Sequence, residues 1–357
     1  GAGQLGRMLA LAAHPLGIET LLVDPDAESP AAQVSEVLVA PYTDPAALER
    51  LAQCDVVTFE FENVPESAAS QLAATCEVYP PPDALRVAQD RWLEKSCFRE
   101  LGIDTPRFFQ VDSLDDLKTA AEALGHRLVL KTRRFGYDGK GQSVVTAPDQ
   151  VAEAFAALRG APAIAEELVP FDRELSVIAC RDRDGHTMLY PPTENRHVGG
   201  VLRSSIAPAP NLSPAVRDAA LRAAEALLHR FSYVGVLGLE LFQVGDRVLA
   251  NEFAPRVHNS GHWTIEGART SQFENHVRAI AGLPLGSAAP LEWAGMLNLL
   301  GRIPDPKAIL AVPDAHLHDY GKEPREGRKV GHVTVRASSE EELRERLAAL
   351  EAILDGR

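Results

Sequence analysis

Apolar runs alternate along this chain with polar, Gly- and Pro-rich breaks, and the period of the runs changes from region to region. After Gly1-Ala2-Gly3-Gln4-Leu5-Gly6, the residues Met8, Leu9, Leu11 and Ala12 recur at helical spacing, so a glycine turn should open a helix. Strands are expected over 19–23, 37–40 and 55–60, with a helix near 45–53 between the last two; this alternation predicts a doubly wound α/β unit. The third strand leads into Glu60-Phe61-Glu62-Asn63-Val64-Pro65, a polar turn at a strand's carboxyl end, where open α/β sheets place ligands. Pro80-Pro81-Pro82 marks a boundary, and a helix over 90–101 closes at Gly102 and Pro106. An apolar strand over 127–131 then ends in Lys131, and a Gly-rich stretch separates it from a strand over 143–146. Two Val-, Leu- and Phe-rich runs, 236–243 and 248–253, flank Gly245-Asp246 and read as a hairpin. From about Pro290, strands over 296–300 and 332–336 precede a final helix, opened by Ser338-Ser339-Glu340-Glu341-Glu342. Leu343, Leu347, Leu350 and Leu354 make its core stripe.

The hairpin carries Glu240 on its first strand and Glu252 on its second. With a two-residue loop, Glu240 faces Asn251 and Glu252 turns to the other side of the sheet. An odd loop such as Gly245-Asp246-Arg247, of the bulge-forming kind, sets Glu240 opposite Glu252. The two carboxylates then lie about 5 Å apart at Cβ, where like charges repel. Such a pair needs a raised pKa or a cation between its members. Carboxylates completed by phosphate oxygens are what Mg²⁺ prefers. After the second strand comes Ala254-Pro255-Arg256-Val257-His258-Asn259-Ser260-Gly261-His262-Trp263, a polar loop suited to a small polar substrate.

At 357 residues the chain has room for two or three domains. Its net charge of -14 argues against general nucleic-acid or anionic-membrane binding. Anionic ligands must therefore meet local clusters, for which Lys131-Thr132-Arg133-Arg134 and the stretch from Arg325 to Lys329 are candidates. The four cysteines form no CxxC pair, which points to a reduced, cytoplasmic setting. No segment approaches a membrane span, and no signal peptide is evident. The chain begins at Gly1 without Met, so a first strand could precede the numbering. The eleven histidines contain no HExxH or Cys/His zinc pattern; His316 and His318 would share a strand face, but two ligands do not make a site.

Gly1 to Gly6 satisfies G-x-G-x-x-G, and Asp24 follows roughly 20 residues on, as in a nicotinamide-dinucleotide fingerprint. No later half of a dehydrogenase is visible, so the safer expectation is a backbone turn approaching an anion at a helix N-terminus. The stretch Arg133-Arg134-Phe135-Gly136-Tyr137-Asp138-Gly139-Lys140-Gly141-Gln142 is a Gly-rich loop between strands without Walker A spacing. Its glycines free the backbone to fold over phosphates.

Taken in order, Lys131, the 136–142 loop, Glu166-Glu167-Leu168-Val169, Glu174, Glu240 and Asn251-Glu252 resemble the ATP-grasp ligases. Gly3-Gln4-Leu5-Gly6-Arg7-Met8, the 136–142 loop, Tyr190-Pro191 through Asn195 and His197, the 254–263 loop, and Gly327-Arg328-Lys329-Val330-Gly331-His332 narrow the resemblance. Within that superfamily the chain is similar to the 5-(carboxyamino)imidazole ribonucleotide synthases, over nearly its whole length. The resemblance implies an α/β and α+β architecture: a Rossmann-like N-terminal domain over 1–88, an ATP-grasp module over 89–289 and a small C-terminal domain over 290–357. The module would divide into a lid-bearing small lobe at about 124–170 and a catalytic lobe at about 171–289.

It also implies ATP and Mg²⁺ (one or two ions, with Mn²⁺ able to substitute), the substrates aminoimidazole ribonucleotide and bicarbonate, and a homodimer. By the same resemblance, Lys131 neutralises phosphate with help from Arg91, which read alone is a surface ion-pair partner. Gly136, Tyr137, Asp138, Gly139, Lys140, Gly141 and Gln142 form a lid over the phosphates. Glu166, Glu167, Leu168 and Val169 read adenine, Glu174 holds the ribose, and His197 is a further nucleotide-site residue. Asn251 lies beside the metal ligands Glu240 and Glu252. Gln4, Tyr137, Arg256, His258, Asn259, Ser260, Lys322, Arg328 and Lys329 meet the substrate; Tyr137, Asp138 and Arg256 are the catalytic candidates. Another ATP-grasp ligase, formate-using or biotin-dependent, would share the nucleotide residues but not the 258–263 loop.

Overall fold

The computed structural model describes residues 1–136 and 141–355. The first helix, Gln4–Ala13, lies beside two parallel strands, β1 (Leu21–Asp24) and β2 (Glu36–Val39). The expected strand over 55–60 does not form. Val57 makes an isolated bridge to Val78, and the side of 56–58 toward β1 borders a cavity of ≈ 700 Å³ lined by Leu21, Leu22 and Val23. A strand exists through its ladder, and this segment has one bridging residue on one side and a cavity on the other.

The second sheet is antiparallel, in the order β3-β6-β4-β5: β3 (Phe108–Val111), β4 (Leu128–Thr132), β5 (Gln142–Val145) and β6 (Ala163–Glu167). Leu128 and Leu130 of β4 bury one face against Leu117, Ala120 and Ala121 of the Leu114–Ala123 helix. Ser113 and Asp116 close that helix's N-terminus as a capping box.

The remaining strands are β7 (Arg173–Arg181), β8 (Thr187–Leu189), β9 (Thr193–Val198), β10 (Val201–Ala207), β11 (Gly235–Val244), β12 (Arg247–Ala254), β13 (Trp293–Leu300), β14 (Ala315–Asp319) and β15 (Lys329–Ala337). Among the described residues they form one sheet, ordered β12-β11-β7-β9-β10-β13-β15-β14 with β8 on β7. The C-terminal strands therefore extend the same sheet, through β10 and β13. Period-two alternation buries both faces. Leu175, Val177 and Ala179 pack with the Pro214–Arg230 helix, whereas Ile178 and Cys180 pack with Gln272–Ile280 and the first helix. The last helix, Glu340–Leu354, starts at Ser339, whose side chain accepts from the Glu342 N–H, and buries Leu343, Leu347 and Leu350 on β13 and β15. Gly295 permits that packing, since a Cβ there would sit 2.9 Å from Leu347. Among the described residues, no helix is long and apolar enough to cross a membrane.

His276, fully buried, ties the N-terminal unit to the central sheet. The Val236 N–H donates to its Nδ1 at 3.1 Å, which leaves the proton on Nε2, 2.9 Å from Thr58 Oγ1. Burial pushes its pKa down to about 4. Below pH 6.5 the unfolded chain takes up a proton that the native state refuses, so stability is lost as pH falls from 6.5 toward 4, by about 3 kcal/mol. Urea unfolding across that window should show this slope, and His276→Gln should flatten it.

Candidate active site

One end of the central sheet, the β4–β6 sheet and the N-terminal unit enclose a cleft of ≈ 1230 Å³. Gln4, Arg91, Lys131, Gly136, Gln142, the 166–169 linker, Glu174, His197, Glu240, Asn251, Glu252, Arg256, His258, Asn259, Lys322, Arg328 and Lys329 all line it. Tyr137, Asp138, Gly139 and Lys140 lie outside the described residues.

Glu240 does stand opposite Glu252, but not for the expected reason. The turn is the two-residue Gly245-Asp246, with Val244 paired to Arg247, and the register shifts further along: Leu241 pairs with Ala250 and Glu240 with Glu252. The extra residue is Asn251, bulged into β12. Burial would push the Glu240 carboxyl up, but His258, His197 and Lys329 outweigh it and hold the pKa at about 2. His258 Nε2 lies 3.2 Å from Glu240 Oε1. Glu94 contributes a third carboxyl, which burial and then Glu252 push up to about 8, against the pull of Lys95 and the Phe253 N–H. The Asn251 Oδ1 is buried without a hydrogen-bond partner. The Glu240 and Glu252 carboxylates and the orphaned Asn251 amide oxygen belong to residues lining one cleft, and such hard oxygen donors fit a divalent cation completed by phosphate.

Across the cleft, Lys131 Nζ donates to Glu166 Oε2 at 3.0 Å, and the buried Lys95 approaches the same oxygen at 3.3 Å. Burial would raise the Glu166 pKa, but Lys131 and Lys95 hold it at about 2. The Glu166 side chain thus anchors the lysine, and only its backbone is left for the linker role expected of it. Arg91 is no surface ion-pair partner. Its guanidinium donates to the carbonyls of Thr132 and Gly136, both at 3.0 Å, bracing the start of the Gly-rich loop. Arg133 and Arg134, expected as anion-binding cations, are turned onto Asp90 instead.

At the far end, Phe171 and Phe242 stack with centroids 4.7 Å apart. The Glu167 and Leu168 amides donate to the carbonyls of Arg107 and Arg127. His197 Nδ1 lies 2.8 Å from Glu174. Burial lowers the His197 pKa, but the Glu174 hydrogen bond and the Glu240 charge outweigh it, and the net shift is upward.

At the near end, Arg256 pairs with Glu62, from the polar turn noted in the sequence. Lys322 donates to Gln4 Oε1 at 2.5 Å across 318 residues. Burial, followed by the Arg328 charge, pushes the Lys322 pKa down to about 8. Arg328 donates to the Glu323 carbonyl at 3.3 Å. His258 packs over β11 where Gly238 leaves room, since a Cβ there would lie 2.6 Å from His258 Cβ. Ser260 does not face the cleft. It is fully buried; its hydroxyl lies 2.8 Å from His258 Nδ1 and accepts at 2.7 Å from Ser176, whose own oxygen accepts from Asn195. The dinucleotide look-alike is closed by the chain's own acids: the Gly3 N–H donates to Glu60 and the Ala2 N–H to Asp24. No amide of that pair is left for a pyrophosphate.

Sequence reasoning missed Lys95, Glu94 and the Glu62 partner of Arg256. One signal was available for Glu94: it sits four residues before the buried Phe98 on the apolar stripe of the Arg91–Glu100 helix, where a charged residue needs a partner.

Three domain families match the chain in order: the ribonucleotide synthetase preATP-grasp domain over residues 1–89, the ATP-grasp domain over 96–273, and the phosphoribosylaminoimidazole carboxylase C-terminal domain over 294–346. The chain is 50% identical to the N5-carboxyaminoimidazole ribonucleotide synthase of Pseudomonas aeruginosa, covering 99% of this chain and 98% of that protein. It is 53% identical to the enzyme of that name from Brucella melitensis, over 94% of each. The crystal structure of N5-carboxyaminoimidazole ribonucleotide synthetase from Thermus thermophilus superposes with a TM-score of 0.95 at 51% identity, covering 99% of this chain and 97% of that one. The Aspergillus clavatus synthase in complex with ADP and 5-aminoimidazole ribonucleotide superposes at 0.92 with 33% identity, covering 100% and 97%.

Replacing Glu62 by Gln leaves the Arg256 charge with a weaker acceptor in a mostly desolvated place. Urea unfolding of Glu62→Gln should show a loss of about 2 kcal/mol.

Proposed function

The chain belongs to the N5-carboxyaminoimidazole ribonucleotide synthases of the ATP-grasp superfamily, and we propose that it carboxylates the exocyclic amine of 5-aminoimidazole ribonucleotide with bicarbonate and ATP, in purine (IMP) biosynthesis. One observation carries the reading: a single cleft holds a lysine anchored for phosphate, an opposed carboxylate pair, and a cationic end built by Arg256, Lys322 and Lys329. A phosphorylated acceptor and a nucleoside triphosphate need these groups in that order.

In this reading the adenine lies against the 166–169 linker, where the Glu167 and Leu168 amides are engaged and Val169 supplies the donor. Glu174 and His197 take the ribose hydroxyls, and Lys131 and Arg91 face the phosphates under the 136–142 loop. Glu240 and Glu252, with Asn251 beside them, would hold Mg²⁺ (one or two ions, or Mn²⁺), which neutralises charge on the phosphate oxygens. A bicarbonate oxygen attacks the γ-phosphorus and ADP leaves, giving carboxyphosphate. The acceptor's amine nitrogen then bonds to the carboxyl carbon, delivered as CO₂; phosphate departs, and Asp138 takes the amine proton. Arg256, held by Glu62, is placed to bind the anionic intermediate, and Tyr137 meets the amine. Carboxyphosphate is labile in water, so a loop that closes over the cleft preserves it. Positioning supplies much of the acceleration, about 7–11 kcal/mol for well-oriented reactants. Gln4, His258, Asn259, Lys322, Arg328 and Lys329 receive the ribose phosphate. The reading includes a cytoplasmic homodimer.

ATP turnover should require both aminoimidazole ribonucleotide and bicarbonate; turnover indifferent to both would overturn the assignment. Glu252→Gln should fold normally and lose most Mg²⁺-dependent turnover. Lys322 loses its charge as pH rises through about 8, so the KM for aminoimidazole ribonucleotide should climb between about pH 7 and 9. In Lys322→Met it should be high and flat across that range.

A further inference from the structure

We infer that Lys95 is a positioning residue for this reaction, a buried clamp that creates the opposed carboxylate pair and aligns Lys131 with it. The inference rests on the reading of Glu240 and Glu252 as metal ligands. Lys95 is 1% exposed, and its Nζ donates to the Ala250 carbonyl at 3.1 Å and to the Asn251 carbonyl at 2.6 Å. Successive carbonyls of a regular strand point to opposite sides, so one ammonium reaches both only because Asn251 is bulged. β12 is the edge of its sheet, where carbonyls lack ladder partners. On this edge Lys95 supplies that partner, helped by Thr105, whose hydroxyl donates to Ala250 at 2.9 Å.

The hairpin turn makes the clamp consequential. Gly245-Asp246 is a two-residue loop, and a regular ladder from it would set Glu240 opposite Asn251 and rotate Glu252 to the other face. The bulge corrects this, and Lys95 holds the bulge. The same ammonium lies 3.3 Å from Glu166 Oε2, which anchors Lys131 at 3.0 Å. One buried group thus sets the phosphate lysine and the metal carboxylates relative to each other. Its helix neighbour Glu94 adds a second fastening by accepting from the Phe253 N–H at 2.6 Å.

The test measures binding of Mn²⁺ with ADP to the full chain by electron paramagnetic resonance, alongside circular dichroism and steady-state ATP kinetics. Lys95→Met should keep its secondary structure and bind Mn²⁺ about 10–100-fold more weakly, as when a residue supporting a metal ligand is lost. Lys95→Met combined with Glu166→Gln removes the charge imbalance but not the loss of the clamp, so its Mn²⁺ affinity should stay low. Lys95→Gln retains one carbonyl donor, provides a second folded variant and should fall between. Wild-type Mn²⁺ affinity in any folded Lys95 variant, or recovery in the double variant, would overturn the inference. Failure of the wild-type chain to bind Mn²⁺ with ADP would instead overturn the metal assignment beneath it.

Discussion

The bulge at Asn251 is the constraint on which the cleft depends. Without it, a two-residue turn puts Glu240 and Glu252 on opposite faces of the hairpin, and no shared carboxylate pair exists. With it, two like charges face each other, an arrangement that costs free energy in isolation. The surroundings offset that cost. His258 contacts Glu240, His197 and Lys329 add positive potential, and Glu94 is pushed toward its neutral form beside Glu252.

A second feature follows from the net charge of -14. The chain holds much of its ligand-facing positive charge against its own carboxylates: Lys131 on Glu166, Arg256 on Glu62, His258 on Glu240 and His197 on Glu174. Unpaired charges in a desolvated cleft are expensive. A phosphate or carboxylate ligand can exchange with, or add to, these partners and meet cations already oriented. Lys322 is the contrast, since it leans on the neutral Gln4 and is discharged more readily.

The N-terminal turn shows how a motif and its chemistry separate. Gly1 to Gly6 carries the dinucleotide spacing, yet the amides of Ala2 and Gly3 are satisfied by Asp24 and Glu60. Glycine keeps the approach close, because a Cβ on Gly3 would come within 3.1 Å of the Glu60 Oε1 and push that carboxylate back. The spacing reports a tight backbone passage, and the partner it admits is a carboxylate of the same chain.

What the sequence determined by itself is what short-range physics controls: the helix after the glycine turn, the Ser339 cap and leucine stripe of the last helix, the hairpin around Gly245-Asp246, and the ordered motifs that identify the family. The opposition of Glu240 and Glu252 was legible as an outcome, but its source was misplaced, because a bulge inside a strand leaves no composition signal comparable to a turn glycine. The tertiary structure alone decided which groups share a partner. It turned Ser260 inward onto Ser176, gave Glu166 to Lys95 and Lys131, sent Arg133 to Asp90, and joined Gln4 to Lys322 across 318 residues. The physical reason is that burial sets the cost of leaving a polar group unpaired, and burial arises only when distant segments close over one another.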